Sequence, residues 1–419
     1  MGYAPLPRAV TLLRARTTIR QKDATTNLRR SPLAIIYFTV FIDLMGFGII
    51  LPQLPFHVVE LGATGLGVGA TLTAYSGGQF ISAPILGRLS DRFGRRPVIL
   101  ATLLGSGVSM AASGFAPTLA LLIGSRALAG AFGGSVAPAQ AYIADSTEPQ
   151  ERARYMAGIG AAIGMGLVFG PVIGALLSPL GFGAAAFAAA GMALANGVFA
   201  YFKLPESNLH RQARSHITPG WLMETVRRPN LALIFAAAFL AMFAFVGMEA
   251  TFALLGEAQH GLTPLELGVV LAYIGVLVAV TQLKLVGPIN ARIGERRMAA
   301  GGALLIGTGL VLLPVAPALW AAATLLGVVA IGQGLLNPGL VTLTSLAAAP
   351  GSQGGTLGLG QSFAAAARVA GPVTAGWLFD VDHALSYLIG GVAALAAVAL
   401  LASLKGLPST APPQAASRT

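Results

Sequence analysis

The chain has no cysteine, and only 10% of its 419 residues are charged. The first absence excludes disulfide frameworks, thiolate metal sites and cysteine nucleophiles. The second excludes a water-soluble surface, because a soluble protein of this length needs far more Lys, Arg, Asp and Glu to cover itself. The residues of nucleotide and metal chemistry are missing too. No lysine is followed by Ser or Thr, so there is no phosphate-binding G-x-x-x-x-G-K-S/T loop. The five histidines include no pair at spacing four, which excludes the helical zinc motif of metalloproteases. Scattered Gly-x-Gly pairs lie in apolar runs, without the strand and acidic partner of a dinucleotide site. The sequence therefore reads as a non-enzyme that needs no cofactor.

What the chain has in abundance is apolar length. Its mean hydropathy is +0.76, and it holds about a dozen apolar segments of roughly 20 residues, the length an α-helix needs to cross a bilayer. The spans fall near 32–55, 67–87, 97–116, 118–144, 154–178, 182–203, 230–255, 265–286, 298–316, 318–347, 356–378 and 383–404. Segments this long predict an all-α membrane protein and exclude an outer-membrane barrel, whose strands are shorter and alternate in polarity.

A net charge of +11 suggests nucleic acid until the charges are placed. About 23 of the 26 Lys and Arg fall in the termini and the even-numbered loops. The odd-numbered loops carry none, and hold Glu60, Glu257, Glu266, Asp380 and Asp382 instead. The positive-inside rule then puts both termini and the even loops in the cytoplasm of a multi-pass protein of the inner, or plasma, membrane. The basicity is an orientation signal, and no nucleic-acid partner is expected. Residues 1–31 carry Arg8, Arg14, Arg16, Arg20, Lys22, Arg29 and Arg30 against one acid, Asp23. They read as a basic cytoplasmic arm able to touch anionic lipid, with an organelle transit peptide or a start codon placed too early as rivals.

The polar stretch between Lys203 and Arg228 divides the spans six and six. The expected layout is an arm at 1–31, a six-helix bundle at 32–203, a cytoplasmic linker at 204–229, a second bundle at 230–404 and a cytoplasmic tail at 405–419. Within the linker, Thr218-Pro219 predicts a short interfacial helix with Trp221, Leu222 and Thr225 on one face. An offset of 200 aligns Gly87, Arg92, Gly94 and Arg96 with Gly287, Arg292, Gly294 and Arg296, and Gly134 and Pro138 with Gly334 and Pro338. An offset of 201 aligns Gly170-Pro171 with Gly371-Pro372. Such matches, in order, indicate a duplicated six-helix unit. Six spans keep both copies in one orientation, so an axis along the membrane normal relates them and a site is expected between them.

The loop Gly87-Arg-Leu-Ser-Asp91-Arg92-Phe-Gly94-Arg95-Arg96 resembles the G-x-L-x-D-R-x-G-R-R/K signature of the major facilitator superfamily. The resemblance implies that family's fold, and a cytoplasmic latch formed by Gly87, Asp91, Arg92, Gly94 and Arg95, with Asp145 at the end of span 4 completing a charge relay. Span 5 places Gly158, Ala162, Gly166, Gly170 and Gly174 on one small face, so another backbone can approach closely. Its segment Gly166-Leu-Val-Phe-Gly170-Pro171-Val-Ile-Gly174-Ala175 is similar to the family's antiporter signature and departs from it only at Ala175. Span 1, with Asp43 in Phe41-Ile-Asp43-Leu-Met-Gly46, and Gln79 before the loop signature are similar to tetracycline/proton antiporters. Those exporters add acids in spans 3 and 9, whereas 97–116 and 298–316 contain none, which sets tetracycline apart from the expected substrates.

Ionisable groups inside a bilayer are costly and mark function. Arg126 shares a face of span 4 with Gly130, Gly134 and Pro138, and resembles the family arginine linked to proton transfer. Its expected counter-charge is Asp43, either as a coupling pair or as a permanent structural one. Glu249 in span 7 is read as carrying a proton, holding a cationic substrate, or facing water at the cavity mouth. Arg368 in span 11 either binds an anionic group or pairs with an acid. Lys284 is read as snorkelling to the interface. Gln79 either lines the cavity or satisfies a neighbouring helix, and Tyr75, Phe169, Gln333 and Asn337 are further cavity candidates against a packing alternative. The resemblance implies a monomeric, proton-gradient-driven exporter of an amphipathic small molecule, with that molecule, protons and the bilayer as partners. Transport of a metabolite, sugar or lipid, and a non-transporting scaffold or sensor, are the alternatives.

Overall fold

A computed structural model describes residues 33–133, 135–147, 152–207, 219–349 and 352–406. The arm at 1–31, most of the tail and Gly134 lie outside the described residues. The first series of helices is α1 (residues 33–50), α2 (Leu54–Glu60), α3 (Gly65–Phe93), α4 (Arg95–Gly114), α5 (Leu119–Phe132), α6 (Val136–Ser146), α7 (Arg152–Leu177) and α8 (Gly181–Lys203). The short α9 (Pro219–Arg227) precedes the second: α10 (Pro229–His260), α11 (Pro264–Val280), α12 (Val286–Leu312), α13 (Leu319–Ala347), α14 (Gln353–Val381) and α15 (His383–Ala402). There is no strand among the described residues. With α1 and α2 counted as one crossing and α5 and α6 as another, each series crosses six times, as the apolar runs predict. The short interfacial helix expected in the linker is α9, whose Thr225 is buried and whose Trp221 ring lies against Gly355 at the start of α14.

Two turns show the duplication in backbone geometry. Gly94, between α3 and α4, has φ +108, and Gly294, two hundred residues on, has φ +78. Both open the following helix from a conformation that a Cβ would strain. Elsewhere the copies differ. Span 4 is broken between the end of α5 at Phe132 and the start of α6 at Val136, where a single helix over 118–144 is expected from the apolar run. Adjacent glycines carry the highest helix cost of any residue except proline, and other spans satisfy the groups exposed by the break: Gln79 donates to the carbonyl of Gly133 at 2.9 Å, and the Ser135 hydroxyl donates to the Asp43 carboxylate. In the second half the irregularity sits in span 8, a single π-helical stretch at Thr281–Leu285.

The small face of α7 packs on span 1. A Cβ at Gly170 would meet the Met45 carbonyl and Gly48, and one at Gly174 would overlap the Ile49 carbonyl, so only glycine lets these backbones approach so closely. The two halves meet by the same device at the end of the bundle that carries the acidic loops. Gly69 of α3 lies against the Pro372 carbonyl of α14, and Gly376 of α14 against the Gly65 carbonyl. Between α7 and α11, Gly268 rests on Ala175 and Pro171. Towards the basic end this contact is lost: Cβ atoms at Gly160, Gly164, Gly87 and Gly287 would meet nothing within 4 Å. The halves are therefore joined at the acidic end and separated at the basic end.

Candidate functional site

The separation leaves a cavity of ≈ 780 Å³ between the halves. Its walls are apolar, from Met165 and Phe169 of α7, Phe245, Met248 and Phe252 of α10, and Leu271 and Ile274 of α11. The polar groups on them are few: Glu249, Gln282, Gln333 and Asn337. A large apolar cavity with a few convergent polar groups is the usual form of a small-molecule site. Phe169, Gln333, Asn337 and Glu249, four of the residues singled out in the sequence, line this one cavity. Phe169 is half exposed to the space and meets Phe41 edge-on at 6.2 Å between centroids. A recess of ≈ 110 Å³ opens beside it, lined by Gln333, Asn337, Gln361 and Arg368.

Two expected cavity residues are placed elsewhere. The Gln79 amide donates to the Gly133 carbonyl of the neighbouring span, at the break in span 4. Tyr75 is stacked on Phe47 at 4.7 Å and lies under the Arg126 guanidinium, whose carbon is 4.7 Å from the ring centroid. The ring thus faces the cation away from water, a favourable arrangement.

The expected pairing of Asp43 with Arg126 is not formed. Asp43 accepts from Ser135. Arg126 is wholly buried, and its one hydrogen bond runs from Nη1 to the Met110 sulfur at 3.5 Å, while Nε and Nη2 have no hydrogen-bond partner. Arg126 lies in α5 and Ser135 just before α6, on opposite sides of the break in span 4, so the hydroxyl that holds Asp43 and the rings that hold Arg126 belong to different segments. Tyr75 lies within electrostatic reach of both, and of Arg368. Glu249, on the main cavity, and Arg368, on the recess, lie within electrostatic reach of each other without forming an ion pair.

At the basic end the loop groups do assemble. Arg95, only 3% exposed, donates from Nε to Asp145 at 2.8 Å and from Nη1 to Asp91 at 2.5 Å and Ser90 at 3.1 Å. One guanidinium thereby joins α3, α4 and α6 within the first half. Arg92 stays exposed above Phe93, at 5.2 Å. Sequence reasoning missed Glu206, which accepts from the Arg95 and Arg96 amides at 2.8 and 3.1 Å and caps α4; an acid beyond the end of span 6 gives no periodic signal. It also missed Ser135, for which the adjacent Gly133-Gly134 pair was the available clue.

The sequence model of the Major Facilitator Superfamily matches residues 36–285 and 258–419. The chain is 32% identical over 390 residues to tetracycline resistance protein, class C, of Escherichia coli, covering 90% of this chain and 98% of that one. It is 28% identical to multidrug resistance protein 2 of Bacillus subtilis (strain 168), covering 87% and 93%. Among solved structures it is similar to the human organic anion transporter MFSD10, with a TM-score of 0.68 and 25% identity over 89% of this chain and 99% of that one. An inward-facing, unoccupied bacterial homologue of the human lysosomal transporter Spinster shares the fold at a TM-score of 0.71 and 15% identity, covering 89% and 95%.

Proposed function

Because this chain belongs to the Major Facilitator Superfamily, we propose that it is a proton-coupled exporter of amphipathic small molecules that works by alternating access. The observation that carries this reading is the ≈ 780 Å³ cavity between the halves, apolar on most of its wall and furnished with one carboxylate, Glu249. Its names among relatives, tetracycline resistance and multidrug resistance, agree with a drug-like substrate.

In this proposal the basic end is cytoplasmic, as the positive-inside rule requires, so the conformation is inward-open. The bundles at 32–203 and 230–404 rock about the cavity, tethered by 204–229. Asp43 is the coupling acid. Ionised, it holds the Ser135 hydroxyl at the joint between α5 and α6; protonated, it loses much of that hold, because a charged acceptor makes the stronger hydrogen bond. The proton thus acts on a break in span 4. Arg126 is fixed on Tyr75, which lies within electrostatic reach of both it and Asp43 and so links the two, and Arg95 with Asp91 and Asp145 keeps the cytoplasmic ends of spans 2, 3 and 4 together as one body.

The test is expression in an efflux-deficient bacterial host with a panel of amphipathic compounds, comparing parent and Asp43→Asn. Export of at least one compound by the parent, lost or made independent of external pH in the variant, is expected. Equal, equally pH-dependent export by both would remove Asp43 from the mechanism, and no export of any compound would remove the exporter reading.

A further inference from the structure

We propose that the recess beside the main cavity is a subsite for an acidic group, so that the preferred substrates are amphipathic molecules bearing a carboxylate or an equivalent anion. The inference rests on the transporter reading and names the substrate chemistry of its cavity. It begins from what each embedded charge is already doing. Asp43 is engaged by Ser135, and Arg126 is enclosed between Tyr75, Phe47 and Met110 with no exposure at all. Arg368 differs from both. It lines the recess yet makes no hydrogen bond or ion pair among the described residues.

The other polar groups on the recess wall include the uncharged amides of Gln333, Asn337 and Gln361, so the guanidinium has no counter-ion in contact, and a ligand oxyanion would supply paired, charge-assisted hydrogen bonds. The groups around Arg368 suit such a ligand. Gln333 and Asn337 stand four apart on α13, hence on one face, and line both the recess and the main cavity. They join the two into one continuous site. The Gln333 Oε1 is buried without a hydrogen-bond partner, so this amide is free to reorient and present its NH₂ to an anion. Phe235, stacked on Phe363 at 5.2 Å, closes the recess with a flat apolar wall. The apolar body of the ligand would lie in the larger space among Phe169, Met248 and Phe252.

Among the described residues, Glu249 is the one acid lining the main cavity and Arg368 the one cation lining the recess. They do not neutralise each other by direct contact, so the site keeps a positive pole and a negative pole. A ligand with its anion on Arg368 keeps its apolar body on the Glu249 side. Loss of the Glu249 charge therefore favours an anion, and loss of the Arg368 charge disfavours it.

The experiment uses the full chain in lipid nanodiscs and three probes of one shape: 2-naphthoate, neutral 2-naphthamide and cationic 2-naphthylmethylamine. Binding is measured by equilibrium dialysis at pH 7.5. The parent is expected to bind naphthoate about tenfold more tightly than naphthamide, the order of one charge-assisted contact. In Arg368→Gln the naphthoate-to-naphthamide ratio falls to about one while naphthamide binding persists, and in Glu249→Gln the ratio rises. Retained naphthamide binding shows that the variant is folded, and Arg368→Lys, which keeps the charge, retains part of the preference. A ratio unchanged in Arg368→Gln overturns the subsite, as does a parent that binds naphthamide or the amine in preference to naphthoate. Proteoliposome transport separates this from the underlying reading. Proton-driven transport of the neutral or cationic probe with no preference for the anion defeats the subsite alone; no transport of any probe or of the drug panel defeats the transporter reading.

Discussion

Asp380, at the end of α14, accepts a hydrogen bond from the Thr64 hydroxyl at 2.6 Å, across the boundary between the two halves. The same carboxylate also accepts the Gly65 and Leu66 amides at 2.7 and 2.9 Å. An acid of the second half thus caps the first turn of α3 in the first half, where the orphan N–H groups and the helix dipole both favour negative charge. These bonds exist only while the acidic end is closed.

Asp380→Ala is expected to shift the protein towards opening at that end. The residue is exposed, so solvent screening limits the cap to about 1 kcal/mol, a several-fold change in the closed-to-open ratio. The natural absence of cysteine allows a spin-label pair at Val59 and Val381 with no background, and an unchanged distance distribution would show that the cap contributes nothing to closure.

The glycine contacts predict the same shift by a different route. A Cβ at Gly69 would stand 2.2 Å from the Pro372 carbonyl oxygen, whereas one at Gly164 would meet nothing within 4 Å. Gly69→Val should therefore force α3 off α14 and lengthen the label distance, while Gly164→Val leaves this conformation unperturbed. Equal responses from the two would contradict the closed acidic end described above.

Arg126 rests on an aromatic face rather than on a carboxylate. Tyr75→Phe keeps that face and is expected to leave thermal stability near the parent value. Tyr75→Leu removes it and should cost about 1–2 kcal/mol, the value of a desolvated cation on a ring, with transport falling as well. Thermal unfolding in one detergent ranks the three; a Tyr75→Phe variant as unstable as Tyr75→Leu would mean that the hydroxyl matters and the ring does not.

The loop arginines should separate sharply. Arg95→Ala deletes the buried guanidinium that joins α3, α4 and α6 and is expected to destabilise by about 1–2 kcal/mol, because its hydrogen bonds are lost while the partly solvated Asp91 and Asp145 left behind are screened by water. Arg92→Ala touches an exposed side chain and should stay within about 0.5 kcal/mol of the parent. The same unfolding assay checks both, and comparable losses would refute the distinction.

Much of this was legible before folding because it follows from local chemistry. Twelve apolar runs define twelve crossings, since each backbone must satisfy its hydrogen bonds within its own helix in lipid. Gly94 and Gly294 mark matching turns because only glycine adopts them cheaply. The loop groups Asp91 and Arg95 lie four residues apart on either side of the Gly94 turn, close enough along the chain that their pairing needed no tertiary knowledge. Other relationships cross helices and carry no sequence period. Which acid faces Ser135, which ring carries Arg126, and which amide fills the break in span 4 depend on the levels at which separate spans are docked, and spacing along one helix does not define those levels.

The amino-acid sequence alone determined the fold class, the number of spans, the duplication and the short list of embedded charges. These follow from hydropathy, from the electrostatic cost of charge in a bilayer and from the steric freedom of glycine. Only the tertiary structure decided how those charges are used. It moved Asp43 from Arg126 to Ser135, left Arg368 open to the cavity, closed the acidic end through Asp380 and the α3–α14 contact, and opened the basic end. The physical reason is that two similar bundles can meet at either end with nearly the same local structure, so the choice between them rests on a few contacts between residues about three hundred positions apart.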